Sequence, residues 1–163
     1  MGTEIDDIKL STPIFVTHSD DNPSDVGGSW NDGFGNNQGY LISFTEDMAE
    51  FKGIQTYLGL VGGKFNNSED GESNLFGVVG GLKKEFGYHV EGHIEAIVGA
   101  VDGYGHTDEN RDKLTTAVIF GAGVSRKFND FSIGMDVGIL PGKTLSDAPA
   151  DAYVVNATIS HSF

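Results

Sequence analysis

The chain has 163 residues, no cysteine, and 24 acidic against 10 basic side chains, for a formal net charge of −14. That length allows one domain, large enough for one small barrel, and the charge excludes a nucleic-acid partner because little here can neutralise phosphates. No apolar run approaches the roughly 20 residues of a membrane helix, which excludes a helical membrane protein and leaves a barrel of alternating strands open. The 24 Gly, 4 Pro, 11 Phe and 5 Tyr suit close-packed strands with aromatic ends, and the lack of cysteine fits an exported protein without disulfides.

Met1-Gly2 and the acidic residues after it are expected to stand where a leader was removed, with residues 1–4 outside the fold. Beyond them the sequence predicts strands near 5–18, 39–46, 51–65, 74–86, 88–102, 113–128, 130–140 and 152–163. The connections alternate: 19–38, 66–73, 103–112 and 141–151 are long and polar, while those at 47–50, around Gly87 and at Asn129 are short. An even number of antiparallel strands with long loops at one end is the plan of an outer-membrane barrel. The prediction is therefore one all-β domain over 1–163, an eight-stranded antiparallel transmembrane barrel. Its long loops face outward from a bacterial outer membrane, and its tight turns and termini face the periplasm.

Side-chain parity assigns the two faces. Val90, Gly92, Ile94, Ala96 and Val98 alternate with His89, Glu91, His93 and Glu95; Phe131, Ile133, Met135, Val137 and Ile139 oppose Ser132, Gly134, Asp136 and Gly138. In the closing segment Tyr153, Val155, Ala157, Ile159, His161 and Phe163 oppose Val154, Asn156, Thr158, Ser160 and Ser162. The unbroken apolar face belongs against lipid, where an ionised group is costly. Sorted by height, the inward residues divide. Lys83, Glu91, His93, Asp136, Asn156 and Thr158 lie toward the periplasm, and Leu75, Gly77, Val79, Ile97, Ala117 and Ile119 toward the outside. The upper lumen, apolar and rich in Gly, is expected to leave room for a slender apolar group such as an acyl chain.

Several motifs, in order on this frame, resemble the PagP family of outer-membrane lipid A palmitoyltransferases. They are Thr12-Pro13-Ile14-Phe15-Val16-Thr17-His18, Trp30-Asn31-Asp32-Gly33-Phe34-Gly35, Phe65-Asn66-Asn67-Ser68 and Ile139-Leu140-Pro141-Gly142-Lys143-Thr144. The resemblance implies transfer of a palmitoyl-type chain from a phospholipid donor to a lipid A acceptor, by a monomer that needs no cofactor or metal. It makes His18, Asn67 and Ser68 the catalytic residues, with Asn67 standing where the family has Asp. Gly77, Val79, Ile119, Gly121 and Leu140 would line the acyl cavity, and Pro13 and Pro141 would interrupt strand pairing as lateral gates. A His beside a Ser at one rim can act as general base in acyl transfer, with an amide stabilising charge.

Two other functions fit the same frame. One is a non-catalytic barrel whose acidic loops meet lipopolysaccharide or another surface partner, and the other is a lipid A deacylase. The ladder His89-x-Glu91-x-His93-x-Glu95 would need a further ligand from another strand to hold a metal, since i and i+2 stand about 7 Å apart. It is expected to form a buried ionic network with Lys83, Lys127 and Asp136 that closes the lower barrel. His106 and His161 take no role.

Overall fold

A computed structural model describes residues 5–19, 26–30, 37–67, 71–102, 114–140 and 151–163, with side chains described for 5–12, 39–64, 74–101, 116–139 and 153–163. The strands are β1 (Asp7–Ser19), β2 (Val26–Trp30), β3 (Asn37–Phe51), β4 (Ile54–Asn67), β5 (Gly71–Glu85), β6 (Val90–Asp102), β7 (Leu114–Phe128), β8 (Phe131–Leu140) and β9 (Asp151–Ser162). Eight of them form an antiparallel sheet that β1 and β9 close along their whole length, from Asp7 opposite Ser162 to Ser19 opposite Asp151. Closure satisfies the edge carbonyls and amides that an open sheet would expose to hydrocarbon. At the lower end the Phe163 amide donates to the Asp6 carbonyl at 2.9 Å, so the terminal aromatic is pinned to the first strand.

The ninth strand, β2, departs from the expected plan. It lies inside the predicted loop 19–38 and pairs only with the upper part of β1, Phe15–Ser19. Val26-Gly27-Gly28-Ser29-Trp30 is too short and Gly-rich to show alternation, and its strand form comes from the edge that β1 offers. Lower down, β1 pairs on that side with β3 instead, Asp7–Ser11 against Leu41–Thr45. The register of β1 shifts between Pro13 and Phe15, where Pro13 lacks an amide to donate. Next to this change Thr12 Oγ1 donates to the Gly39 carbonyl at 3.1 Å.

One turn sits elsewhere than predicted, and the turn predicted around Gly87 is longer than expected. The chain stays extended through 47–50, with a register shift between Asp47 and Glu50, and reverses at Lys52-Gly53. Both turn residues have positive φ, 53° and 76°. That backbone twist matches the twist of the flanking strands, which is why a two-residue hairpin favours it. Between β5 and β6 the reversal takes Gly87, Tyr88 and His89, all with positive φ. His89 is therefore an exposed turn residue and not the first rung of the lumen ladder.

Parity is as the sequence predicts. Leu58, Leu60, Val78, Leu82, Ile94, Val98, Val124, Ile133, Met135 and Val137 face outward and are exposed, an apolar belt with no protein against it. Aromatic side chains bound the belt at both ends: Phe51, Phe86, Tyr88, Phe128, Phe131 and Phe163 below, and Tyr40, Phe76, Phe120 and Tyr153 above. Phe76 on β5 and Phe86 just past its end mark the two rims, and at ~3.3 Å rise and ~40° tilt their separation is about 25 Å, the apolar height of an outer-membrane barrel. Ile94, midway between the rims, is the position to test. Ile94→Arg is expected to cost about 2–4 kcal/mol in a denaturant titration of the barrel in bilayers. A neutral effect would show that the belt does not face lipid.

Candidate functional site in the barrel lumen

The lumen is organised around Lys9, which stands between Ile8 and Leu10 on β1 and points inward by the alternation of the strand. Its ammonium lies 2.9 Å from both carboxylate oxygens of Glu95 on β6 and 3.1 Å from Asp136 Oδ2 on β8. Tyr57 on β4 donates its hydroxyl to Glu95 Oε2 at 3.0 Å. His93 Nε2 stands 3.2 Å from Asp136 Oδ1, yet misaligned, and neither atom has a hydrogen-bond partner. Toward the tight-turn end of the barrel Lys83 binds Asp7 Oδ2 at 2.6 Å and Asp47 Oδ1 at 2.7 Å. A cavity of about 50 Å³ separates the two groups, lined by Lys9, Lys83, Glu91, His93 and Glu95 among others. It has room for a few waters.

Long side chains from strands that are not neighbours meet here because glycines stand between them. Gly81 on β5 pairs with Tyr57 on one side and Glu95 on the other. Gly123 on β7 pairs with His93 on one side and Asp136 on the other. A Cβ at Gly81 would collide with the Tyr57 hydroxyl, and one at Gly123 with Asp136 Oδ1 and His93 Cε1. The empty inward positions on β5 and β7 are thus filled by polar groups reaching across them.

Above the network the lumen is apolar. Val61, Leu75, Val79, Ile97, Val101 and Ala117 are buried against one another, with Val79 only 1% exposed, and Leu41 and Ile119 pack on them. The expected cavity-lining residues take different places. Gly77 lies against the β6 backbone, where a Cβ would stand 2.6 Å from the Gly99 Cα. Val79 belongs to the packed cluster and Ile119 to its edge. Gly121 sits lower, beneath the Glu95 side chain, whose Cγ would be 3.1 Å from an added Cβ. The gap at Gly138 is covered by Val154 Cγ1 at 3.0 Å.

At the outer end the backbone sets His18 opposite Ala152 and Gly27, and Leu140 opposite the same Ala152. Asn67 ends β4, opposite Asn37 and Gly71. The side chains of His18, Asn67 and Leu140, and that of Pro13, fall outside those described, and Ser68 and Pro141 lie outside the described residues. The expected ionic network forms with Glu95 and Asp136 in it, and His93 stands against Asp136 without an aligned hydrogen bond. Its cation is Lys9, which the sequence reading missed although inward parity on β1 would have found it. Lys83 pairs separately, and Lys127 is exposed because β7 has reached the lower rim there.

No family model and no curated protein matches the chain by sequence. Solved structures similar to it are the Neisserial surface protein NspA (TM-score 0.56, 10% identity, 96% of each chain covered) and the N-terminal β-barrel domain of Pseudomonas aeruginosa OprF (TM-score 0.56, 14% identity, 98% of each). The chain folds as a closed eight-stranded antiparallel barrel, and its outward apolar belt gives it the plan of an outer-membrane barrel. The comparisons give the PagP resemblance no support. Lys9→Met leaves Glu95 and Asp136 buried without their cation and is expected to cost about 3–5 kcal/mol of unfolding free energy in bilayers. Gly123→Ala, by overpacking, is expected to cost about 1–3 kcal/mol, read from the same denaturant curves. Wild-type stability in either variant would show that the network does not hold the barrel.

Proposed function

We propose that the chain is a closed, non-catalytic outer-membrane anchor that presents acidic loops to lipopolysaccharide through divalent cations. The observation that carries this reading is the filled lumen. The apolar cluster around Val79 occupies the height at which an acyl chain would lie, and the Lys9 network fills the barrel below it. What varies freely on such a frame is its loops. Their sequence is acidic: Asp20, Asp21, Asp25 and Asp32 in the first, Glu69, Asp70 and Glu72 in the second, Asp108, Glu109 and Asp112 in the third. Carboxylates and lipid phosphates repel each other unless a divalent ion bridges them.

The acyl transfer implied by the PagP resemblance is a second reading, and one feature favours it. Beside Pro13, β1 exchanges β3 for β2 as its partner, which is where a lateral opening for lipid would be needed. It requires His18, Asn67 and Ser68 to meet at the outer rim and the packed cluster to part.

One reconstitution tests both. The barrel is folded into liposomes of phospholipid and lipopolysaccharide, and the lipids are weighed by mass spectrometry. Under the anchor reading neither lipid gains or loses acyl mass, and planar bilayers carrying the protein show no stable ion current. Co-sedimentation with lipopolysaccharide is expected to require millimolar Ca²⁺ or Mg²⁺ and to be lost with a chelator. A palmitoyl-sized gain on lipid A, abolished by His18→Ala or Ser68→Ala, would replace the anchor with the transferase.

A further inference from the structure

We propose that His93, Glu95 and Asp136 form a lumenal binding site for one divalent transition ion with the ligand preference of zinc. The three side chains come from β6 and β8 and offer ligand atoms that all lie within 4.8 Å of one another. Within this group His93 Nε2 and Asp136 Oδ1 face each other at 3.2 Å, buried and without an aligned hydrogen bond, on side chains only 9% and 5% exposed. Buried polar atoms are ordinarily well hydrogen-bonded, and this poorly aligned pair has two lone-pair-bearing atoms directed at one space that a shared cation would fill.

Their separation fits a metal better than it fits a hydrogen bond. They stand 3.2 Å apart with the wrong alignment for proton donation. Tetrahedral ligands about 2.0 Å from zinc lie about 3.3 Å from each other, so the pair already spans one edge of the coordination shell. Glu95, whose oxygens hold Lys9 and the Tyr57 hydroxyl, lies within 4.8 Å and supplies the third ligand by turning its flexible side chain toward the pair. The adjoining cavity, lined by Lys9, Glu91 and Ser125 as well, leaves the fourth position to water.

Charge and shape agree with this assignment. One ammonium, Lys9, faces two carboxylates, so with His93 in the neutral form that binds a metal one negative charge remains for a cation to balance. Gly123 is the cradle: a Cβ there would fall on Asp136 Oδ1 and shut the space between the ligands. A single imidazole with two carboxylates suits zinc, whereas calcium takes six or more oxygens. Lys9 sits beside the ion and opposes it, so the site is tuned for weak, reversible binding.

The test uses the full-length barrel refolded in zwitterionic detergent, stripped of metal and titrated with zinc, with bound metal counted per folded chain. One zinc is expected to persist in His89→Ala, an exposed histidine away from the lumen, and to be lost in His93→Gln and Asp136→Asn. Lys9→Met is expected to bind zinc at least tenfold more tightly and to recover thermal stability when zinc is added. Zinc X-ray absorption of the wild type keeps the proposal testable if the ligand variants do not fold: one nitrogen and carboxylate oxygens at about 2.0–2.2 Å support it. Stoichiometry unchanged by His93→Gln, weaker zinc binding in Lys9→Met, or a shell of several imidazoles would each overturn it.

Discussion

The barrel depends on one constraint: a cluster of charges must be held inside a tube whose outer face lies in hydrocarbon. Lys9 meets Glu95 and Asp136 across the lumen and ties β1 to β6 and β8, strands that share no backbone pairing with each other except through their neighbours. Charges this buried are favourable only when paired and hydrogen-bonded, and pairing here requires empty positions on the intervening strands. Gly81 and Gly123 provide them. The abundance of glycine, which by propensity weakens strands, is at these positions a packing requirement.

That arrangement divides the lumen into two zones with different consequences. The lower zone is polar and holds the small cavity lined by Lys9, Lys83, Glu91, His93 and Glu95. The upper zone is a dry cluster of Val, Leu, Ile and Ala that separates the cavity from the outer end of the barrel. Under the proposed function a tube plugged in this way serves as an anchor, and recognition falls to the loops at its mouth. Across the wall the side chains change character with every residue, so a one-residue slip of register would put Glu95 or Lys9 into lipid. The register is held by the cost of that alternative.

Much of this was legible in the residues. The alternation in Val90–Val98 and Phe131–Ile139 gave strand, inward face and lipid face together, because a period of two on a half-apolar segment has few other meanings. The loop lengths gave the topology. Less legible were features with no period of their own. β2 has five residues, two of them Gly, and owes its form to the edge of β1. His89 reads as part of a ladder in sequence and is turned outward by a run of positive φ that begins at Gly87.

The sequence by itself determined an eight-stranded barrel and the polarity of most of its inward positions, since these follow from local alternation and from the cost of charge in hydrocarbon. Tertiary structure alone decided what the inward residues do. The glycines of the upper lumen suggested open space, and the structure fills it with neighbours: Val154 over Gly138, the β6 backbone against Gly77, Glu95 over Gly121. It likewise decided that Lys9, 86 residues from Glu95 in the chain, is the cation of the network. Space and charge pairing inside a closed barrel depend on which strands face each other across the axis, and that is set by closure and register, which no single strand encodes.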